Sequence, residues 1–130
     1  MAQTLTPLKN QPPDGILYTF QLTDGTVMAQ GNTCSDWWKL TPAANGSYID
    51  GTWSQIASMP AGYTPLYFAS AILPDGRMIV EGGEYIGENA VWSNQGAIYN
   101  PVTNTWRSVA PPRGWTNMGD AASDVLDNGT

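Results

Sequence analysis

The chain has 130 residues, a net charge of −6, and 42% hydrophobic against 12% charged residues. Such a length holds the core of one ordinary domain, and the apolar share excludes wholesale disorder. With 14 Gly, 10 Pro, 6 Trp and 6 Tyr, the composition favours short strands and tight turns over a helical bundle.

In chain order, residues 4–8 followed by Pro12-Pro13 read as a strand with its proline stop, so residues 1–13 stand as the last strand of a preceding unit. Residues 14–60 form a first unit, with strands expected over 16–22, 26–31, 38–41 and 52–57. Asp24-Gly25 is the turn of its first hairpin. Residues 61–112 form a second unit. Its first strand, 66–73, turns at Asp75-Gly76 into a second over 77–82. A loop over 83–95 leads to a third strand, 96–100, and a turn over 101–104 leads to a fourth, 105–110. Pro111-Pro112 ends it, because proline cannot donate to a ladder. Residues 113–130 read as the first strand of a third, truncated unit.

The units repeat. Leu22-Thr23-Asp24-Gly25 recurs as Leu73-Pro74-Asp75-Gly76 and as Leu126-Asp127-Asn128-Gly129, with glycines 51 and then 53 residues apart. Trp53 and Trp106 also stand 53 apart, and Tyr63-Thr64 answers Trp115-Thr116. Several anchors in one order at one spacing indicate a repeat architecture. Strands 66–73 and 77–82 do not alternate cleanly, which predicts burial on both faces. Small Ala69-Ser70-Ala71 at one edge and large Trp106 at the other make a wedge, and wedges set radially close into a propeller.

The glycine doublet Gly82-Gly83, Tyr99 before the Pro101 turn, and Trp106 opening the last strand together resemble a kelch repeat. Trp53 is the counterpart of Trp106, but the first unit has Gly31-Asn32 for the doublet and Leu40 for the tyrosine. The resemblance implies an all-β fold. It is that of kelch-type β-propeller blades, four-stranded antiparallel sheets packed face to face, with this chain a partial propeller of about two blades. Galactose-oxidase-like copper enzymes carry similar blades. Their copper site needs histidine and tyrosine ligands. This chain has no histidine, so no catalytic residue carries over.

In such blades two sets of loops share one face. The resemblance places Trp37, Tyr63, Tyr85, Glu88, Trp92, Arg113, Trp115 and Asn117 there, beside Cys34 and Asp36. Aromatic rings beside carboxylates and amides suit a protein or glycan ligand. The expected function is therefore a non-catalytic binding module. The alternative is a fragment of a copper oxidase whose catalytic residues lie outside this chain. No cofactor is expected. Glu81, Glu84, Glu88, Asp120 and Asp124 lack the spacing of a calcium loop and read as an acidic rim. Cys34 has no histidine to activate it and reads as a plain thiol.

The five cations, Lys9, Lys39, Arg77, Arg107 and Arg113, are too scattered to form a nucleic-acid face. No apolar run reaches the ~18 residues of a membrane span. Residues 1–10 lack a signal-peptide core, and an extracellular or periplasmic parent is favoured. Further partners expected are the remaining blades, or other copies of the chain meeting through exposed blade faces.

Overall fold

The computed structural model describes residues 4–129, which contain no helix. Strands β1 (Ile16–Gln21), β2 (Val27–Gly31), β3 (Trp37–Thr41) and β4 (Thr52–Ile56) form one antiparallel sheet in that order. A small antiparallel sheet joins β5 (Pro65–Leu66), β8 (Tyr85–Ile86) and β9 (Asn89–Ala90). The second four-stranded antiparallel sheet runs β6 (Ala69–Ile72), β7 (Met78–Glu81), β10 (Gly96–Asn100) and β11 (Thr105–Val109).

The Asp-Gly turns close the first hairpin of each large sheet by the same chemistry. Gly25 and Gly76 take φ values of +82° and +85°, which only glycine adopts without cost. The Asp24 carboxylate accepts the Thr26 N–H at 2.9 Å, and Asp75 accepts the Arg77 N–H at 3.1 Å. Beyond the turns, Leu22 and Leu73 donate their N–H groups to the Thr26 and Arg77 carbonyls.

The two large sheets share one core. The first contributes Met28, Trp37 and Ile56; the second contributes Met78, Val80, Ala97 and Tyr99. Residues two apart on a strand share a face, so these sets come from one face of each sheet. Trp106 seals the seam, its ring centroid 5.2 Å from those of both Trp37 and Tyr99. Burial of such rings supplies most of the driving force, about 25 cal/mol per Å² of apolar surface.

The tryptophans of the two fourth strands occupy matching places. Leu40 faces Trp53, and Tyr99 faces Trp106. The Trp53 indole N–H donates to the Asn10 carbonyl at 3.2 Å, and that of Trp106 donates to the Ala57 carbonyl at 2.9 Å. Tyr99 also donates its hydroxyl to Asn104 Oδ1 at 3.0 Å, fixing the tight turn after β10. Leu40 has no hydroxyl. The longer connection after β3 is held instead by Tyr48, which donates its phenol to the Gly25 carbonyl at 2.6 Å.

Five expectations are corrected. Residues 4–8 form no strand, since no neighbouring strand offers them a ladder; the segment is tied down by Lys9 and Asn10, which donate to the Ile49 and Gly51 carbonyls. Residues 113–129 likewise form no strand, only an isolated bridge between Ser93 and Met118. Residues 1–3 and 130 of those two segments lie outside the described residues. The strand expected over 66–73 is broken into β5 and β6 by Tyr67, whose φ is +54°. The loop over 83–95 contains the β8–β9 hairpin. Finally, β7 is not buried on both faces: Met78 and Val80 are enclosed, whereas Ile79 and Glu81 are half-exposed, because among the described residues no third large sheet covers them.

Candidate functional site

A groove of about 470 Å³ opens between the first large sheet, with its loop after β2, and the small sheet, lined by Leu17, Asn32, Cys34, Tyr67, Tyr85 and Glu88 among others. One wall is the loop after β2. Gly31 lets the chain fold back there, for a Cβ at that position would fall 2.1 Å from Asp36 Oδ2. Asp36 organises the loop. One carboxylate oxygen accepts the Thr33 hydroxyl, and the other accepts the Trp38 indole N–H at 2.9 Å. Burial pushes Asp36 up, but those two hydrogen bonds, together with backbone hydrogen bonds of the loop, outweigh it and hold the carboxyl below the usual range. Cys34 sits at the loop's tip with φ +65°, its N–H bonded to the Gly31 carbonyl.

The opposite wall is the β8–β9 hairpin. Gly87, at φ +59°, donates its N–H to the Thr64 carbonyl and turns the chain so that Glu88 stands at the exposed rim. Tyr85 projects from β8 and meets Tyr67 edge to face, with centroids 5.8 Å apart. Tyr67 is 47% exposed and sits at a positive φ without being glycine. Such backbone strain costs roughly 1–3 kcal/mol and persists where the surroundings enforce it.

Gln30 braces the two walls from beneath. Its fully buried side-chain amide donates to the Cys34 carbonyl at 2.9 Å and to the Pro65 carbonyl at 3.0 Å. Those two carbonyls belong to opposite sides of the groove, so one amide sets its width.

The structure brings together only two of the eight residues expected at the site, Tyr85 and Glu88. Trp37 and Tyr63 are core residues, at 0% and 2% exposure. This corrects the expectation that they face a ligand: Trp37 lies within β3 and points into the shared core. Tyr63 donates its hydroxyl to the Gly82 carbonyl at 2.9 Å, and burial, with the Glu81 charge second, drives its pKa far up. Trp92, Arg113, Trp115 and Asn117 are exposed but lie outside the groove, on segments drawn together by the Ser93–Met118 bridge and by the Asn94 amide on the Trp115 carbonyl. Glu81, Glu84, Glu88, Asp120 and Asp124 do not converge; among the described residues no three His, Cys, Asp or Glu side chains gather.

Sequence reasoning missed Tyr67, Asn32 and the Gln30 brace. Tyr67 reads as one more apolar residue of a strand. Its conformation depends on long-range contacts, and no glycine or proline marks it.

Cys34 borders the groove without being poised for chemistry. Burial first, then the Asp36 and Glu88 charges, push its thiol up. We expect little alkylation by iodoacetamide at pH 7, rising only above the ordinary cysteine value of about 8.5. Mass spectrometry across a pH series checks this; rapid labelling at pH 7 would contradict the assigned environment.

No family model matches the chain, and no curated protein does. Solved structures do match. A fungal alcohol oxidase of the AA5 family, solved in complex with copper, is 23% identical over 68% of this chain, with a TM-score of 0.53. YjhT is 26% identical over 82% of this chain, with a TM-score of 0.60. The chain spans 17% of the oxidase and 31% of YjhT. The two large sheets therefore have the kelch-type, galactose-oxidase-like propeller fold.

Proposed function

We propose that the chain is a non-catalytic binding module, a portion of a kelch-type propeller whose inter-sheet groove takes a glycan. The observation that carries this reading is the Tyr67–Tyr85 pair at the groove, with Tyr67 exposed and Tyr85 half-buried. Tyrosine rings offer flat faces to the C–H surfaces of a pyranose, and their hydroxyls find polar partners at the same time. Asn32 and the Glu88 carboxylate line the same groove and supply the hydrogen bonds that orient a neutral polyol.

Screening the chain on an array of immobilised oligosaccharides, then titrating the best binder by calorimetry, tests the reading. Tyr85→Ala is expected to weaken binding at least about tenfold, equivalent to ~1.4 kcal/mol. Trp92→Ala lies outside the groove and leaves affinity unchanged. An empty array, or equal affinity for Tyr85→Ala, overturns it.

A second reading is favoured by the likeness to the copper-bound oxidase. In that reading the chain is a piece of such an enzyme, and the histidine ligands come from outside these 130 residues. Copper content and peroxide release by a longer polypeptide containing this chain distinguish the two.

A further inference from the structure

The groove beside Tyr67 and Tyr85 carries charge of one sign. Glu88 stands at its exposed rim, and Asp36 lies within the loop that forms the opposite wall. Both charges reach the groove: after burial, they are what push the Cys34 thiol up. Neither Asp36 oxygen is left unbonded, since the Thr33 hydroxyl and the Trp38 indole N–H take one each. Asp36 therefore acts on a ligand through its field, and Glu88 through its field and by contact.

The chain's five cations all lie elsewhere. Lys9 pairs with Asp50, and Arg77 pairs with Asp75. Lys39 faces Met28 within the first sheet, and its charge acts on Asp24. Arg107 belongs to β11 of the second sheet, and Arg113 lies outside the groove. The turns of the two walls offer no substitute, because the Cys34 N–H is spent on the Gly31 carbonyl and the Gly87 N–H on the Thr64 carbonyl. An oxyanion is held by a cation or by converging free N–H groups. The donors along this groove are neutral side chains such as the Asn32 amide and the tyrosine hydroxyls, which suit a hydroxyl and do not offset a carboxylate.

We propose that the groove sorts glycans by charge: it admits neutral and amine-bearing sugars, rejects uronates, sulfates and other acidic ones, and relies on Glu88 to decide between them. This rests on the glycan reading and adds to it the class of sugar taken. The rejection is a repulsive element set beside the attractive one, the Tyr67–Tyr85 pair. Like charges a few ångströms apart near a protein surface lower affinity about tenfold or more. A ring bearing a protonated amine meets the opposite sign, and its cation also gains from a tyrosine face.

The test uses an array on which each neutral oligosaccharide stands beside two counterparts, one with its C6 hydroxyl oxidised to a carboxylate and one with that hydroxyl replaced by an amine. On the full chain at pH 7, the carboxylate form is expected to bind at least about tenfold more weakly than its neutral parent, and the amine form at least as tightly as the parent. Glu88→Gln keeps the size of the side chain and removes its charge. It should shrink the neutral-to-carboxylate ratio at least about threefold, whatever it does to affinity itself. Glu88→Lys should reverse the order of the carboxylate and amine forms. Raising salt to about 1 M, where screening acts within ~3 Å, should narrow the ratio of the unaltered chain more than that of Glu88→Gln. Carboxylate forms that bind the unaltered chain as tightly as their parents overturn the charge filter and leave the glycan reading standing. So does a ratio that neither Glu88→Gln nor salt changes, since shape would then be the discriminator. An array empty in all three forms overturns the glycan reading, and the filter with it.

Discussion

Replacing Gly82 by alanine is expected to destabilise the chain by about 3 kcal/mol or more, among the largest effects of any single methyl group here. Two causes combine. Gly82 holds φ at +72°, where an L side chain costs roughly 1–2 kcal/mol. An added Cβ would also fall 2.3 Å from the Met118 carbonyl oxygen and 2.5 Å from Met118 Cβ. Those atoms belong to a packed segment and cannot yield without breaking the Gly83–Met118 and Met118–Ser93 hydrogen bonds. Overpacking of that kind adds about 1–3 kcal/mol. Gly46→Ala is the control, for Gly46 shares the positive φ, at +82°, but has nothing within 4 Å of the added carbon. It should lose only about 1 kcal/mol. Urea unfolding of both variants measures the difference, and equal midpoints would contradict the close approach.

Trp37→Ala is expected to cost about 3–5 kcal/mol, the usual range for emptying a buried aromatic site. Trp37 is fully buried, lies 5.2 Å from the Trp106 ring and 6.1 Å from Phe20, and therefore touches both halves of the core. Trp37→Phe should cost far less. The indole N–H of Trp37 is buried without a hydrogen-bond partner, so removing it relieves a desolvated donor while most of the packing remains. Trp37 also faces Gln30 across the β2–β3 ladder. Its loss should loosen the Gln30 brace and weaken glycan binding, even in the fraction that stays folded. Near-UV circular dichroism and denaturant titration resolve the two variants. A Trp37→Phe loss as large as that of Trp37→Ala would contradict the packing described.

The sheets were legible in the sequence because their signals are local. Asp24-Gly25 and Asp75-Gly76 set the hairpins through a side-chain cap and a positive φ, both available within a few residues. The pairing of Tyr99 with Trp106 follows from a short turn closed by Asn104, so spacing alone reveals it. The site was less legible because it depends on contacts distant in sequence. Tyr85 and Glu88 were found from their place beside the glycine doublet. Tyr67 was not, since nothing in its local sequence marks the break before β6, and the ring it meets, Tyr85, is distant in sequence. Trp37 and Tyr63 illustrate the converse error. An aromatic residue near a loop suits a surface or a core equally well, and only the facing sheet decides which.

The most direct test of the account is whether the two large sheets stand or open as one body, because a single core of residues from both holds them together. Native-state hydrogen exchange reads this through the slowest amides of β2 and β3 in one sheet and β7 and β10 in the other. The shared core predicts a single opening free energy for all four strands, lowered equally in both sheets by Trp37→Ala. Two distinct opening energies, with Trp37→Ala affecting only β2 and β3, would show that the sheets fold separately and would contradict the shared core.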